Sequence, residues 1–565
     1  MPDPNQDRTF GEKPFPDSSS NVKPPWQREE EKSGEETDLA EALKEERPAV
    51  EITPALGAEE LPKETMTEIP ETTEVPEETD LSTEPSLPET PPVEIPIPNV
   101  PPLVEAPVES PPEEIPEEPS GPVQAYHSQS KSPLGGLKKI LPIILGLIVV
   151  IGLVFLVVKF GLPRFQKQKE VTLTYWGLWE PESVMREVID DWNKDHPSIK
   201  VNYSMQSKEQ YRERLQSALA RSEGPDIFRF HVTWLPMLKG QLDSVPTEVM
   251  SASQYESTFY PVAATNLRSG SSYLGIPLEI DTLALFYNKD IFQTAGKVPP
   301  ATWDELRKTA IELATHDEEG KIQTAGVALG TTNNIEHWSD ILGLMMLQNE
   351  ADLAKPTGAL AEDALDFYTI FSRTDRVWDS TLPSSMLAFA NGKLAMYFGY
   401  SWDIFEIKNI NPNLEFGVVQ APQLAGTNIS WASFWVEGVN NKGQFKEEAW
   451  EFLQYLSSKE TLVKLYQAES KVRLFGEPYS RVEMASQAKT NPLVTPFVEQ
   501  ASQAQTWYLC SRTYDNGIND KTISYFEDAV NTVNKGQDST KALDTAALGI
   551  NQLLSQYGLV TAVTP

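Results

Sequence analysis

"VTLTYWGLWEPESVMREVIDDWNKDHPSIKVNYS", Val171–Ser204, decides the fold class. Its first six residues alternate as a strand does, after which Met185, Val188, Ile189 and Trp192 recur at helical spacing until Pro197 stops the run. "IKVNYS" is a second strand. "KEQYRERLQSALARSEG" then sets Tyr211, Leu215 and Leu219 on one helical face, with Gly224 as the expected C-terminal cap. "PDIFRF" reads as a third strand. Alternation on this scale predicts βαβ units around a largely parallel sheet, an α/β fold.

In such sheets ligands bind beyond the carboxyl ends of the strands. The loops there are "WGLWEP", "SMQSKEQ" and "HVTWLP", which carry Trp176, Trp179, Gln206, His231 and Trp234. A single indole belongs more often to a core than to a site. Three on one sheet edge mark that edge as a candidate binding surface.

Farther along, "YLGIPLEIDTLALFYNKDIF", Tyr273–Phe292, reads as one long core strand that carries Glu279 and Asp281 near its middle. An ionised carboxylate leaving water costs several kcal/mol unless it is paired, so these acids must face solvent or meet a polar partner. "NKDIFQTAG" follows as a short helix ended by Gly296. Thr302 and Glu305 then have capping-box spacing at the start of another helix.

Upstream, the chain changes character. Of its 565 residues, the first 130 contain 32 Asp and Glu against 8 Lys and Arg, and 26 of the 45 prolines occur by Pro133. Such a segment has too few large apolar side chains to offset chain entropy, so residues 1–135 are expected to be a disordered, extended acidic tail. P-x-x-P spacings such as Pro98–Pro101 could dock on aromatic grooves, but a solvated spacer explains the composition as well. The negative charge excludes nucleic acid as a partner of this segment.

Between tail and βαβ region stands "ILPIILGLIVVIGLVFLVV", Ile140–Val158, without a charge. At helical rise it spans about 28 Å, one membrane crossing, so a transmembrane helix is expected over 138–162. More than 130 residues precede it and no small-residue cleavage site follows, which distinguishes it from a removable signal peptide. Lysines and arginines flank both ends and do not set its orientation. The single Cys510 excludes an internal disulfide and leaves no cysteine near the N-terminus for lipid attachment.

The run "YLGIPLEIDTLALFYNKDIFQTAGKVPPATWDEL" resembles the signature segment of extracellular solute-binding proteins of family 1, the maltose-binding-like carbohydrate receptors of ABC importers. "FANGKLAMYFGYSWDI", Phe389–Ile404, resembles the family's F-x-x-G-K-x-A-M segment. "EGVNNKGQFKEEAWEFLQYLSSKE", Glu437–Glu460, looks like its crossing back into the first lobe, and "VNKGQDSTKALDTAALGINQLL" is similar to its last helices. The resemblance implies a two-lobed periplasmic-binding-protein-like fold of class II over 170–560. The first lobe would take about 171–283 and return from about 437, and the second about 284–434.

It also implies a carbohydrate site. Asp281 matches the acidic residue at the first crossing and Trp402 the stacking tryptophan, while Trp435 and Trp179 are further stacking candidates. Asn333 and Trp338 in "TTNNIEHW" are expected to reach the cleft from the second lobe, and Gln206, His231 and Tyr514 complete the candidate set. Indole rings cover the C–H faces of a sugar, and carboxylates and amides bond its hydroxyls. Where relatives offer a charged contact after the third strand, this chain has "FRFHVTW". Glu279 is read as a solvated or hinge-pairing acid.

By the same resemblance, the implied partners are a sugar or oligosaccharide, the permease subunits of an ABC transporter, and the membrane through one helix. The binding domain would be extracellular and the tail cytoplasmic. No cofactor or metal is expected; "YDNGIND", Tyr514–Asp520, has calcium-like oxygens but lacks the terminal Glu of a calcium loop. Two alternatives stay open. One is a membrane-tethered sensor. The other is a glycoside hydrolase using Glu279 and Asp281, against which the five scattered histidines and the lack of an H-E-x-x-H motif offer no catalytic constellation.

Overall fold

The computed structural model describes residues 146–152 and 170–560. The expected tail, and most of the expected membrane helix, lie outside these residues. The described piece of that helix, 146–152, is helical, and Leu147, Ile148, Val149, Val150 and Ile151 are all exposed. Among the described residues no helix is long and apolar enough to cross a membrane.

Residues 170–560 build two five-stranded sheets. In the first, β1 (Val171–Gly177) lies between β2 (Ile199–Met205) and β3 (Ile227–His231), all parallel. The helix Glu182–Asp195 connects β1 to β2 and buries Val184, Met185, Val188, Ile189 and Trp192. This is the expected apolar stripe. The sheet is completed by β14 (Trp435–Val439) and β6 (Ile276–Pro277), both antiparallel to their neighbours, with a short hairpin of β4 (Arg268–Ser269) and β5 (Ser272–Tyr273) nearby in sequence.

The second sheet has the order β12-β8-β11-β10-β9, made from Phe416–Gln420, Ala284–Asn288, Leu394–Gly399, Ile322–Val327 and Thr315–His316. Every residue of β11 is buried. A third, small sheet joins the halves. Here β13 (Ser430–Ser433) pairs antiparallel with β7 (Asp281–Thr282) and parallel with β15 (Ala504–Gln505). The chain then runs on to helices Ile518–Asn534 and Ser539–Gln556, which pack on each other and on the helix Ala359–Arg373 beside the second sheet.

The stretch Tyr273–Phe292 is therefore not one strand. It is divided among four short strands, β5, β6, β7 and β8, which belong to four different sheets. Period and hydrophobicity signal burial along it, but they do not reveal a change of sheet, because every residue from Tyr273 to Phe286 is buried. The following helix Lys289–Ala295 is capped by Asn288, and Gly296 at its end has φ 64°, the left-handed conformation glycine adopts without penalty. Thr302 and Glu305 make the expected capping box. Gly224 is not a helix cap. The helix Tyr211–Ala220 ends earlier, and Gly224 is small because a Cβ there would come within 2.7 Å of Leu219.

Candidate functional site

Backbone register assembles an ion cluster on two inner strands of the first sheet. On the paired strands β3 and β14, Arg229 lies opposite Glu437 and His231 opposite Trp435. Arg229 is 1 % exposed. Its Nε donates to Glu437 Oε1 at 2.6 Å and its Nη1 to Glu180 Oε2 at 2.5 Å, while Glu279 Oε1 stands 3.6 Å from the same Nη1. Three carboxylates thus share one guanidinium. Burial drives the carboxyls of Glu279 and Glu437 above the ordinary range, against the opposing pull of Arg229.

In front of this cluster lies a cavity of about 350 Å³. Six of the nine candidate residues line it: Trp179, His231, Asp281, Trp402, Trp435 and Tyr514. Trp435 is the hub of the aromatic side, with ring centroids 5.5 Å from Trp179, 5.2 Å from Trp234 and 5.1 Å from His231, all edge to face. Tyr514 adds a ring 6.3 Å from Trp179. Trp179 and Tyr514 have φ of 66° and 54°, so both rings project from left-handed backbone that ordinary residues avoid.

Trp402 stands across from them, stacked on Tyr400 at 4.3 Å. Its base is a buried polar network. Tyr400 donates to Asp340 Oδ1 at 2.7 Å, His337 Nε2 lies 2.8 Å from Asp403 Oδ2, and His337 Nδ1 lies 2.8 Å from Ser511 Oγ. Burial raises the Asp403 carboxyl, but His337 and Arg512 outweigh it and hold that group below its usual value.

Asp281 is 1 % exposed and pairs with no arginine or lysine among the described residues. Its oxygens accept backbone N–H bonds from Thr282 and Ser401, both at 2.8 Å. Burial first, and the nearby Glu477 second, push its carboxyl up to about 8. His231 has both ring nitrogens engaged, by Thr233 Oγ1 at 2.7 Å and Ser433 Oγ at 3.0 Å, and burial lowers it to about 3. It is a neutral support for Trp435.

The other three candidates do not line the cavity. Gln206 bonds Ser204 and Arg214 on the outside of β2, Asn333 is exposed in its loop, and Trp338 is buried at the start of the helix Trp338–Gln348. Glu279 is not solvated but buried against Arg229, the hinge-pairing alternative. In "YDNGIND" the carboxylate of Asp515 is taken by the N–H groups of Gly517, Asn519 and Asp520, which start the last helical pair.

Sequence reading passed over several lining groups: Arg473, Glu477, Arg512, Phe405 and Lys208. Arg473 pairs with Glu469 at 2.8 Å and Glu477 at 2.6 Å, and its guanidinium carbon lies 5.2 Å from the Phe405 ring centre. Phe405 lies in the short helix Asp403–Ile410, and the other four sit in loops without periodicity. Arg229 and Glu437 had a readable signal, a charge flanked by apolar residues in "IFRFH" and "WVEGV".

The model of the bacterial extracellular solute-binding protein family matches residues 187–473. Among curated relatives, a putative binding protein of Brucella abortus is 24% identical over 293 residues, 50% of this chain and 70% of that one. A multiple sugar-binding protein of Streptococcus mutans is 22% identical over 343 residues, 58% of this chain and 79% of that one. Among solved structures, a cyclo/maltodextrin-binding protein complexed with maltotetraose aligns with TM-score 0.57 and 20% identity, covering 69% of this chain and 98% of that one. An ABC transporter solute-binding protein of Thermotoga lettingae bound with α-D-tagatose gives 0.53 and 22%, with 68% and 100% covered. These two alignments share the fold. With half of its length matched by the family model, the chain belongs to the bacterial extracellular solute-binding proteins.

Proposed function

We propose that this protein captures a carbohydrate between two lobes, built on the first and second sheets, and delivers it to the permease of an ABC importer. The observation that carries this reading is the cavity in which Trp179, Trp435 and Tyr514 face Trp402 across a set of buried carboxylates. Aromatic faces for C–H surfaces and fixed acceptors for hydroxyls are what a sugar requires. The relatives named above are described as binding proteins, which favours binding over catalysis. The uncharged run Ile140–Val158 would hold the receptor to the membrane, with the acidic tail on the cytoplasmic side.

Titrating the full chain with a panel of mono- and oligosaccharides, and reading tryptophan fluorescence, tests the proposal. A saturable change for at least one sugar is expected, since four indoles surround or adjoin the cavity. No change for any sugar would overturn it. Protease treatment of intact cells tests the anchor: digestion of the tail with the receptor protected would reverse the orientation.

A further inference from the structure

We propose that the carbohydrate taken by this cavity is cationic: a sugar bearing a protonated amine, whose ammonium group docks at Glu279, Asp281 and Glu477. This rests on the carbohydrate reading and narrows it.

Acidic groups around the cavity outnumber the cations free to pair with them. Five carboxylates line the cavity against Lys208, Arg473 and Arg512. Both arginines are already engaged, Arg473 by Glu469 and Glu477 and Arg512 by Asp403 and Glu406. Lys208 is exposed and its Nζ donates to the Tyr514 hydroxyl at 3.2 Å. Behind the wall, Arg229 gives its two short bonds to Glu180 and Glu437. Glu279 receives only the 3.6 Å contact, is 8 % exposed, and makes no hydrogen bond among the described residues.

Asp281 accepts from the backbone N–H groups of Thr282 and Ser401 and has the Ser401 hydroxyl beside it, with no cation paired to it among the described residues, and Glu477 acts on both Glu279 and Asp281 as a repelling neighbour. An ammonium group brings three donors and the missing positive charge to such a site. A hydroxyl brings no charge. A phosphate or carboxylate would be repelled by the five carboxylates; the Nε and Nη2 of Arg473 make no hydrogen bond among the described residues, but the charge of that guanidinium is already shared by Glu469 and Glu477. The surrounding indoles also favour a cation, through their negative ring faces. Because burial holds the Glu279 and Asp281 carboxyls protonated longer than usual, docking of a cation expels protons.

The test compares ligands that differ at one substituent. The full chain in detergent is titrated calorimetrically near pH 6.5 with glucosamine and glucose, galactosamine and galactose, and β-1,4 oligomers of glucosamine and glucose of equal length. Glucose 6-phosphate and spermidine complete the panel. At least one amino sugar is expected to bind about tenfold or more tighter than its hydroxyl counterpart, the ratio of a charge-assisted to a neutral hydrogen bond. Its uptake should release protons, seen as a heat that varies with the ionisation enthalpy of the buffer.

Glu279→Gln and Glu477→Gln, checked for native circular dichroism, should each bring that ratio towards one. Equal or tighter binding of the neutral or phosphorylated sugar overturns this inference and leaves the carbohydrate reading standing. Binding of nothing in the panel overturns this inference, and binding of spermidine alone overturns both.

Discussion

Asp281 accepts a hydrogen bond from the backbone N–H of Ser401, 120 residues away, at 2.8 Å. One carboxyl thus fastens the strand that leaves the first sheet to the turn that follows β11 and precedes Trp402. Asp281→Asn keeps one acceptor and puts an NH2 group in place of the other oxygen. It should lower affinity for the bound sugar about tenfold, the scale of one buried hydrogen bond, measured by the same fluorescence titration.

The pH dependence of stability follows from the same group. Folded Asp281 and Glu469 titrate near 8 and 7, whereas unfolded carboxyls titrate near 4. Between those values the folded state binds more protons than the unfolded one, so stability falls as pH rises from about 4 to about 8. Each group contributes a slope of up to about 1.4 kcal/mol per pH unit. Urea midpoints measured between pH 5 and 8.5 should decline, and Asp281→Asn should flatten the decline.

Arg229→Met should destabilise the protein by about 3–5 kcal/mol near pH 8, because it leaves Glu180, Glu279 and Glu437 buried without their shared cation. The loss should be smaller at pH 5, where the three carboxyls can take up protons. Urea titration at the two pH values compares them. An equal loss at both would mean that packing around Arg229, not its charge, accounts for the effect.

Trp179 and Trp435 should separate binding from stability. Trp179 is 42 % exposed, so Trp179→Ala should weaken sugar binding by about 1 kcal/mol with little effect on unfolding. Trp435 packs against Trp234 and His231 as well, so Trp435→Ala should lower both affinity and thermal midpoint. Calorimetric titration and thermal unfolding of the two variants check the contrast.

Local structure was legible wherever one face of an element meets water. The helix Glu182–Asp195 and the caps at Thr302 and Gly296 are written in spacing and turn chemistry that act over a few residues. Asp281, Trp402 and Trp435 were reached through the family resemblance, and the cavity brings them together with Trp179, His231 and Tyr514. The division of Tyr273–Phe292 among four sheets was not legible, because residues 273–286 are buried without a break. Nor was the opposing charge wall, in which Arg229 meets acids at 180, 279 and 437. Those partners are brought together by the register of β3 and β14 and by loops.

The small sheet of β7, β13 and β15 holds three separate passages of the chain between the two large sheets. A receptor joined in this way has redundant tethers. One backbone cut in any passage leaves two covalent links, with the ladder hydrogen bonds still in place, and the two halves remain a single particle. That tolerance to nicking suits a member of a family that works outside the cell, where proteases are met.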